Sequence, residues 1–115
     1  MRVDCVKWSP DGKRLASAGW DQKIQIWDAD TWTLSASLVG HNGAIVDLAW
    51  SPDGTRLVSS SLDRSVRVWD PGRSAELCRF SILSNGGALA WPDAGCSIHF
   101  VGTDGTITTW DATPG

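Results

Sequence analysis

Short apolar and polar runs alternate along the chain, and each is closed by a cluster of turn-forming residues. The middle of the chain shows the pattern most clearly. Ala44–Trp50 is an apolar, extended run. Ser51-Pro52-Asp53-Gly54 reads as a β-turn, because Pro presets one φ and Gly supplies a positive one. Residues 56–61 resume a strand, Leu62-Asp63-Arg64-Ser65 turns again, and Val66-Arg67-Val68-Trp69 alternates with β-branched residues. Asp70-Pro71-Gly72 is a third turn, and Ala75–Phe80 a fourth strand. Four short strands joined by tight turns predict an antiparallel meander. The same reading places strands near 2–8, 14–19, 23–28 and 33–39, then 44–50, 56–61, 65–70 and 75–81, then 87–91, 97–102 and 106–111.

The unit recurs. Trp-Asp occurs at Trp27-Asp28, Trp69-Asp70 and Trp110-Asp111, 42 and 41 residues apart. Trp8, Trp50 and Trp91 run in phase, as do Asp21, Asp63 and Asp104. Trp8–Asp28 and Trp50–Asp70 agree at 11 of 21 positions, whereas Trp50–Asp70 and Trp91–Asp111 agree at 5. The third copy is eroded: His99, Phe100 and Thr109 stand where Val58, Ser59 and Val68 do. Apolar residues on both faces of the inner strands imply that each sheet is covered on both sides, and stacked copies of the same sheet are the natural cover.

Composition supports an all-β chain. Twelve Asp face one Glu and three Lys, so turn formers outnumber helix formers. A length of 115 residues allows one domain. The net charge of −3 argues against a nucleic-acid binder, which ordinarily carries a basic face. No apolar run approaches the roughly 20 residues of a membrane helix. Met1–Trp8 lacks the apolar core of a secretory signal, so an intracellular protein, cytoplasmic or nuclear, is expected. Cys5, Cys78 and Cys96 have neither metal-ligand spacing nor the even count of a disulfide framework.

On its three Trp-Asp endings, the in-phase Asp residues and the Gly40-His41 that opens the second unit, the chain resembles the WD-repeat family, whose units are propeller blades. The resemblance implies an incomplete β-propeller of about 2.7 blades over residues 1–115. Blade one covers about 1–40, blade two about 41–82 and blade three about 83–115. Closed propellers need about four to eight blades. Leu15, Ile24 and Ile26 are therefore expected to lack a neighbour on one side. Three arrangements stay open: part of a longer propeller, two copies joined into a six-bladed ring, or a short open stack capped by blade three.

His41, Ser59 and Asp63 suggest a hydrolytic triad, but no nucleophile elbow or oxyanion hole accompanies them, and no catalytic residue is assigned. The resemblance implies instead a structural hydrogen-bond tetrad of His41, Ser59, Asp63 and Trp69. Blade one keeps Ser17, Asp21 and Trp27, and blade three keeps Asp104 and Trp110, with Leu83 where His41 aligns. Six tryptophans lie on the repeat (Trp8, Trp27, Trp50, Trp69, Trp91 and Trp110) and are expected in the core. Trp20 and Trp32 lie in turns, either as binding anchors or laid over backbone. The Asp residues do not cluster as calcium ligands do, His41 and His99 lack ligand-spaced Cys, and Gly86-Gly87 precedes no helix, so neither metal nor cofactor is expected. Arg64, Arg67, Arg73 and Arg79 read as a solvated outer face.

These features point to a non-catalytic scaffold that binds a protein or peptide, without nucleic-acid or membrane partners. In the family, partners often dock at the narrow top of the ring. Carried over by position, the residues before the turn Asp are Trp20, Leu62 and Thr103, and those on the innermost strand are Asp4, Val46 and Gly87. The positions two residues earlier are Arg2, Ala44 and Asn85. Trp20, Val46 and Leu62 are expected to form an apolar patch beside one acid. The alternatives are a structural segment that self-associates, as a homo-oligomer or with additional blades, and a sensor region of a longer signalling protein.

Overall fold

The computed structural model describes residues 3–19, 22–81, 87–91, 97–102, 105 and 107–111, with the backbone alone of Val3, Asp4, Gly87, Ser97, Trp110 and Asp111. The described residues form three antiparallel sheets and no helix. Sheet one has the order β1 (Val3–Trp8), β2 (Arg14–Gly19), β3 (Lys23–Asp28), β4 (Thr33–Val39). Sheet two has β5 (Ile45–Trp50), β6 (Leu57–Ser61), β7 (Ser65–Asp70), β8 (Ala75–Ser81). Sheet three has β9 (Gly87–Ala90), β10 (Ser97–Gly102) and β11 (Ile107–Asp111), with β10 in the middle. Each strand begins and ends within one residue of its sequence-based position.

The turns follow from their residues. In Ser9–Gly12 and Ser51–Gly54 the Gly N–H returns to the Ser carbonyl at 2.9 Å in both. Gly12 and Gly54 take φ of 72° and 75°, which only Gly adopts without strain. In both turns the Ser hydroxyl donates to the Asp carboxylate at 2.6 Å. That hydroxyl first, and then the Thr55 N–H and hydroxyl, hold Asp53 at about 2.

Alternation along the strands decides what each sheet buries. Ala16, Ala18, Ile24, Ile26, Ala36 and Leu38 of sheet one pack against Ile45, Leu48, Trp50, Leu57 and Trp69 of sheet two. The other face of sheet two, with Val58, Val66 and Val68, packs against Trp91, Ile98 and Phe100 of sheet three. Sheets one and two touch through β1 and β5, and sheets two and three through β5 and β9, so the first strands line one common edge. Ile24 and Ile26 are fully buried against sheet two, contrary to expectation. The open side of sheet one carries Val6, Trp8, Leu15 and Trp27 instead, because β2 and β3 turn their even-numbered residues toward sheet two.

The tryptophans divide accordingly. Trp50, Trp69 and Trp91 are buried, whereas Trp8 is 52% exposed and Trp27 half-buried. The core assignment of Trp8 is therefore corrected: its repeat position is a core position only where a sheet lies in front of it. Trp50 has one, and its indole N–H donates to the Lys7 carbonyl at 3.0 Å beneath the Arg14 guanidinium. Trp32 is exposed and meets Trp8 edge to face, with centroids 6.0 Å apart. The side chain of Trp110 and all of Trp20 lie outside the described residues.

Candidate functional site

The polar centre of sheet two is built on β6, β7 and the two turns above them. Ser59 on β6 is fully buried and pairs with Arg67 on β7. Trp69 Nε1 donates to Ser59 Oγ at 2.9 Å, and Ser59 Oγ lies 2.6 Å from His41 Nε2. His41 Nδ1 lies 2.9 Å from Asp63 Oδ2. One proton assignment satisfies all three bonds: His41 donates to Asp63 and accepts from Ser59, whose oxygen accepts from Trp69. The structure thus brings His41, Ser59, Asp63 and Trp69 together in one chain of hydrogen bonds. Gly40 lies close against this centre: a Cβ there would stand 2.6 Å from Arg67 Nη1 and 3.0 Å from the Trp69 ring, so Arg67 would have to shift.

Asp63 is the hub. It also accepts the N–H groups of Asn42 and Ser65 at 2.9 Å each, and the Ser65 hydroxyl at 2.6 Å. Burial disfavours its charge, but the Ser65 hydroxyl, the Asn42 N–H and His41 outweigh burial and hold the carboxyl well below its usual range. Burial pushes His41 down, and the Asp63 hydrogen bond and charge only partly restore it, so the imidazole is neutral. Among the described residues every buried side-chain N or O atom has a partner.

Arg67 corrects the solvated-face reading. It is 4% exposed, donates from Nη1 to Glu76 at 3.0 Å and from Nε to Ser65 Oγ at 3.2 Å, and lies 3.7 Å from Asp63. Its place was readable: Val66 and Val68 face sheet three, so Arg67 and Trp69 must face sheet one. Asp47 was missed. Its carboxylate ties the three first strands together, accepting Leu48 N–H and Leu89 N–H at 2.9 Å each and standing 3.7 Å from Cys5 Sγ. Burial first, and then Asp47, raises the Cys5 thiol, which stays protonated. No sequence signal marked this role, since Cys5 and Ala88 hold the position in the other copies.

The positions carried over as a docking edge are placed as follows. Val46 falls outside the β5–β6 pairing, between Ile45↔Ser61 and Asp47↔Ser60, and is thus the extra residue of a β-bulge. Leu62 follows Ser61, with its N–H on the Ala44 carbonyl at 2.9 Å. Both stand at the same end of sheet two, 40% and 42% exposed. Asp4 occupies the matching bulge of β1, between Val3↔Gly19 and Cys5↔Ala18. Gly87 opens β9 opposite Gly102. Trp20, Thr103, Asp21, Asp104 and Leu83 lie outside the described residues. Trp27 Nε1 donates to Ser17 Oγ at 3.0 Å, repeating part of the sheet-two arrangement.

Acid should weaken this centre. His41 has an ordinary value of 6.5 when unfolded and a lower one when folded. Below about pH 6.5 the unfolded chain therefore binds more protons, and stability falls as the pH drops toward the folded value. Asp63 adds a second loss below its ordinary 3.8. Urea unfolding followed by Trp fluorescence should give a lower midpoint at about pH 5 than at about pH 7.5. In His41→Gln that part of the difference should disappear, and an equal drop in both proteins would refute the assignment.

Comparison with known proteins follows the same lines. The WD domain, G-beta repeat family profile matches residues 1–28 and 32–70. WD repeat-containing protein 1-B of Xenopus laevis is 50% identical over 46 residues, covering 37% of this chain and 8% of that protein. The Protein HIRA homolog of Drosophila melanogaster is 33% identical over 64 residues, 41% of this chain and 6% of that protein. The U4/U6 small nuclear ribonucleoprotein PRP4 of Saccharomyces cerevisiae is 40% identical over 48 residues, 40% and 10% respectively. The chain thus spans a tenth or less of these relatives. Among solved structures, U3-55K superposes with a TM-score of 0.90 and the RRP9 WD40 repeats with 0.89. Each is 20% identical and covers 95% of this chain, which spans 36% and 35% of those chains. This likeness shows the fold.

Proposed function

Because the chain belongs to the WD-repeat family of β-propellers, we propose that it is a non-catalytic scaffold segment that binds a protein or peptide at the Val46–Leu62 edge. The propeller fold suggests an interaction scaffold in general. The observation that carries the finer reading is the bulge at Val46, which leaves an apolar side chain half-exposed at the end of sheet two where Leu62 also stands. By repeat position the reading takes in Asp4 on β1 and Gly87 on β9, with Trp20 and Thr103 as the sequence equivalents of Leu62, across three blades, about 1–40, 41–82 and 83–115. A non-catalytic role is supported by Ser59, whose hydroxyl is fully buried and committed to His41 and Trp69. No helix of the described residues is long and apolar enough to cross a membrane. An intracellular setting agrees with the relative named a small nuclear ribonucleoprotein.

Peptides selected from a displayed library on the immobilised chain provide the test. Val46→Asp and Leu62→Asp should each weaken the selected peptides by about tenfold or more at an unchanged thermal midpoint. Peptides indifferent to both substitutions would refute the site. A second reading rests on a different observation. The open side of sheet one exposes Val6, Trp8 and Leu34 by 49%, 52% and 49%, with Trp32 beside them at 58%. A further sheet stacked there, from another copy or from additional blades, would cover Trp8 as sheet one covers Trp50.

A further inference from the structure

Gly follows Asp11, Asn42 and Asp53, and such pairs share one intrinsic reaction. The Gly amide nitrogen can attack the preceding side-chain carbonyl carbon and close a five-membered imide, unhindered by a Cβ. The structure separates the three pairs. The N–H groups of Gly12 and Gly54 are each bonded to a Ser carbonyl at 2.9 Å. The carboxylates of Asp11 and Asp53 are held by Ser hydroxyls at 2.6 Å and by the N–H groups of Lys13 and Thr55. Those bonds keep both carboxyl groups below their ordinary range, and an ionised carboxylate resists a nucleophile. Asn42 has none of these protections. It is exposed, and its side chain bonds to no described residue. The Gly43 N–H likewise donates to no described residue. The bonds nearby hold other atoms: the Asn42 N–H lies on Asp63 Oδ2 at 2.9 Å, and the Gly43 carbonyl accepts from Ser61 Oγ at 3.0 Å. Packing also demands the reactive neighbour. A Cβ at Gly43 would stand 2.8 Å from Asp63 N and 3.2 Å from Leu62 C, both backbone atoms.

We propose that Asn42 is a covalent modification site, at which the folded chain deamidates itself through the Gly43 amide. The Gly43 nitrogen bonds to Asn42 Cγ, the Cγ–Nδ2 bond breaks, and Nδ2 leaves as ammonia with the Gly43 amide proton. Water then opens the cyclic imide. Attack at Cγ yields an aspartyl residue. Attack at the former backbone carbonyl yields an isoaspartyl residue, whose main chain is one carbon longer. Nothing is oxidised or reduced. Either product makes the formal charge one unit more negative than −3. The new carboxylate arises on the residue whose N–H serves Asp63, so two negative groups come to share one turn. The isoaspartyl form also lengthens the link between His41 and Gly43, which packs tightly on Leu62 and Asp63. The modification therefore reaches the His41–Asp63 bond and the Leu62 turn. It stands whether or not the Val46–Leu62 edge binds a peptide.

Incubation of the purified chain at mildly alkaline pH, followed by tryptic mapping and mass spectrometry, tests it. Cleavage after Lys23 and Arg56 isolates Asn42, while Asn85 falls in the fragment after Arg79. The Asn42 fragment should exchange the mass of NH2 for that of OH. Its isoaspartyl share should accept methyl groups from a protein isoaspartyl methyltransferase, localised to position 42. Little opening is needed at an exposed, unbonded turn, so the folded rate should lie within about tenfold of the rate in urea. Asp11-Gly12 and Asp53-Gly54 should become isoaspartyl in urea and not in the folded chain. Asn42→Gln keeps the backbone N–H on Asp63 and should abolish the mass change in this fragment. Any of three results would overturn the proposal: a folded rate at Asn42 below that tenfold range, isoaspartyl formation at the two Asp-Gly turns as fast as at Asn42, or a mass change that survives Asn42→Gln.

Discussion

Asp63→Ala should destabilise the chain by about 3–5 kcal/mol, because it removes the shared acceptor of several hydrogen bonds and leaves Arg67 with Glu76 as its one remaining carboxylate among the described residues. Asp63 has a side-chain exposure of 9% and Arg67 one of 5%, so solvent has little access to replace the lost contacts. The same substitution strips acceptors from His41, Asn42 and Ser65. Asp63→Asn is the gentler variant. It keeps an acceptor oxygen for only one of the two backbone amides, which bond to different oxygens of Asp63, and offers no charge to Arg67, so a loss of about 1–3 kcal/mol is expected. Urea unfolding at neutral pH measures both. If Asp63→Ala is too unstable to purify, Asp63→Asn still decides. A loss below about 0.5 kcal/mol for Asn would show that the network contributes little, as exposed ion pairs do.

Trp50→Ala and Trp8→Ala exchange the same residue at the same point of the repeat, yet their effects should differ widely. Trp50 is 7% exposed, donates to the Lys7 carbonyl and lies beneath Arg14. Its removal opens a cavity between sheets one and two and should cost about 3–5 kcal/mol. Stability in stacked repeats is approximately a sum of unit and neighbour contributions. Losing Trp50 should therefore also uncouple sheet one, broadening the transition or splitting it in two. Trp8 is half-exposed and touches Trp32 edge to face. Its removal should cost about 1 kcal/mol or less. Equal losses at the two sites, growing with protein concentration, would mean that another copy covers the open face of sheet one in solution. Equal losses independent of concentration would contradict the exposure of Trp8.

Much of this architecture was legible in the residues because its causes are local. Ser-Pro-Asp-Gly closes a turn through its own hydroxyl, carboxylate and positive φ, so the strands on either side were placed correctly. The repeat of 42 and 41 residues revealed three stacked units before any contact was known. His41, Ser59, Asp63 and Trp69 were recognised through family resemblance, since four positions spread over 29 residues carry no spacing rule of their own. Arg67 was misread because its charge was weighed without the alternation that faces it toward sheet one. Asp47 gave no signal, since its partner on β9 is a backbone N–H that any residue would offer.

The sequence by itself determined the elements, their turns and the repeat, because each depends on residues only a few positions apart. Tertiary structure alone decided which copies of a repeated residue are buried. Burial belongs to the neighbour in front of a side chain and not to the side chain itself. Trp8 and Trp50 share their repeat position, and one is exposed while the other holds two sheets together. Ile24 and Ile107 likewise share theirs, and among the described residues Ile24 has a strand on each side whereas Ile107 has β10 alone.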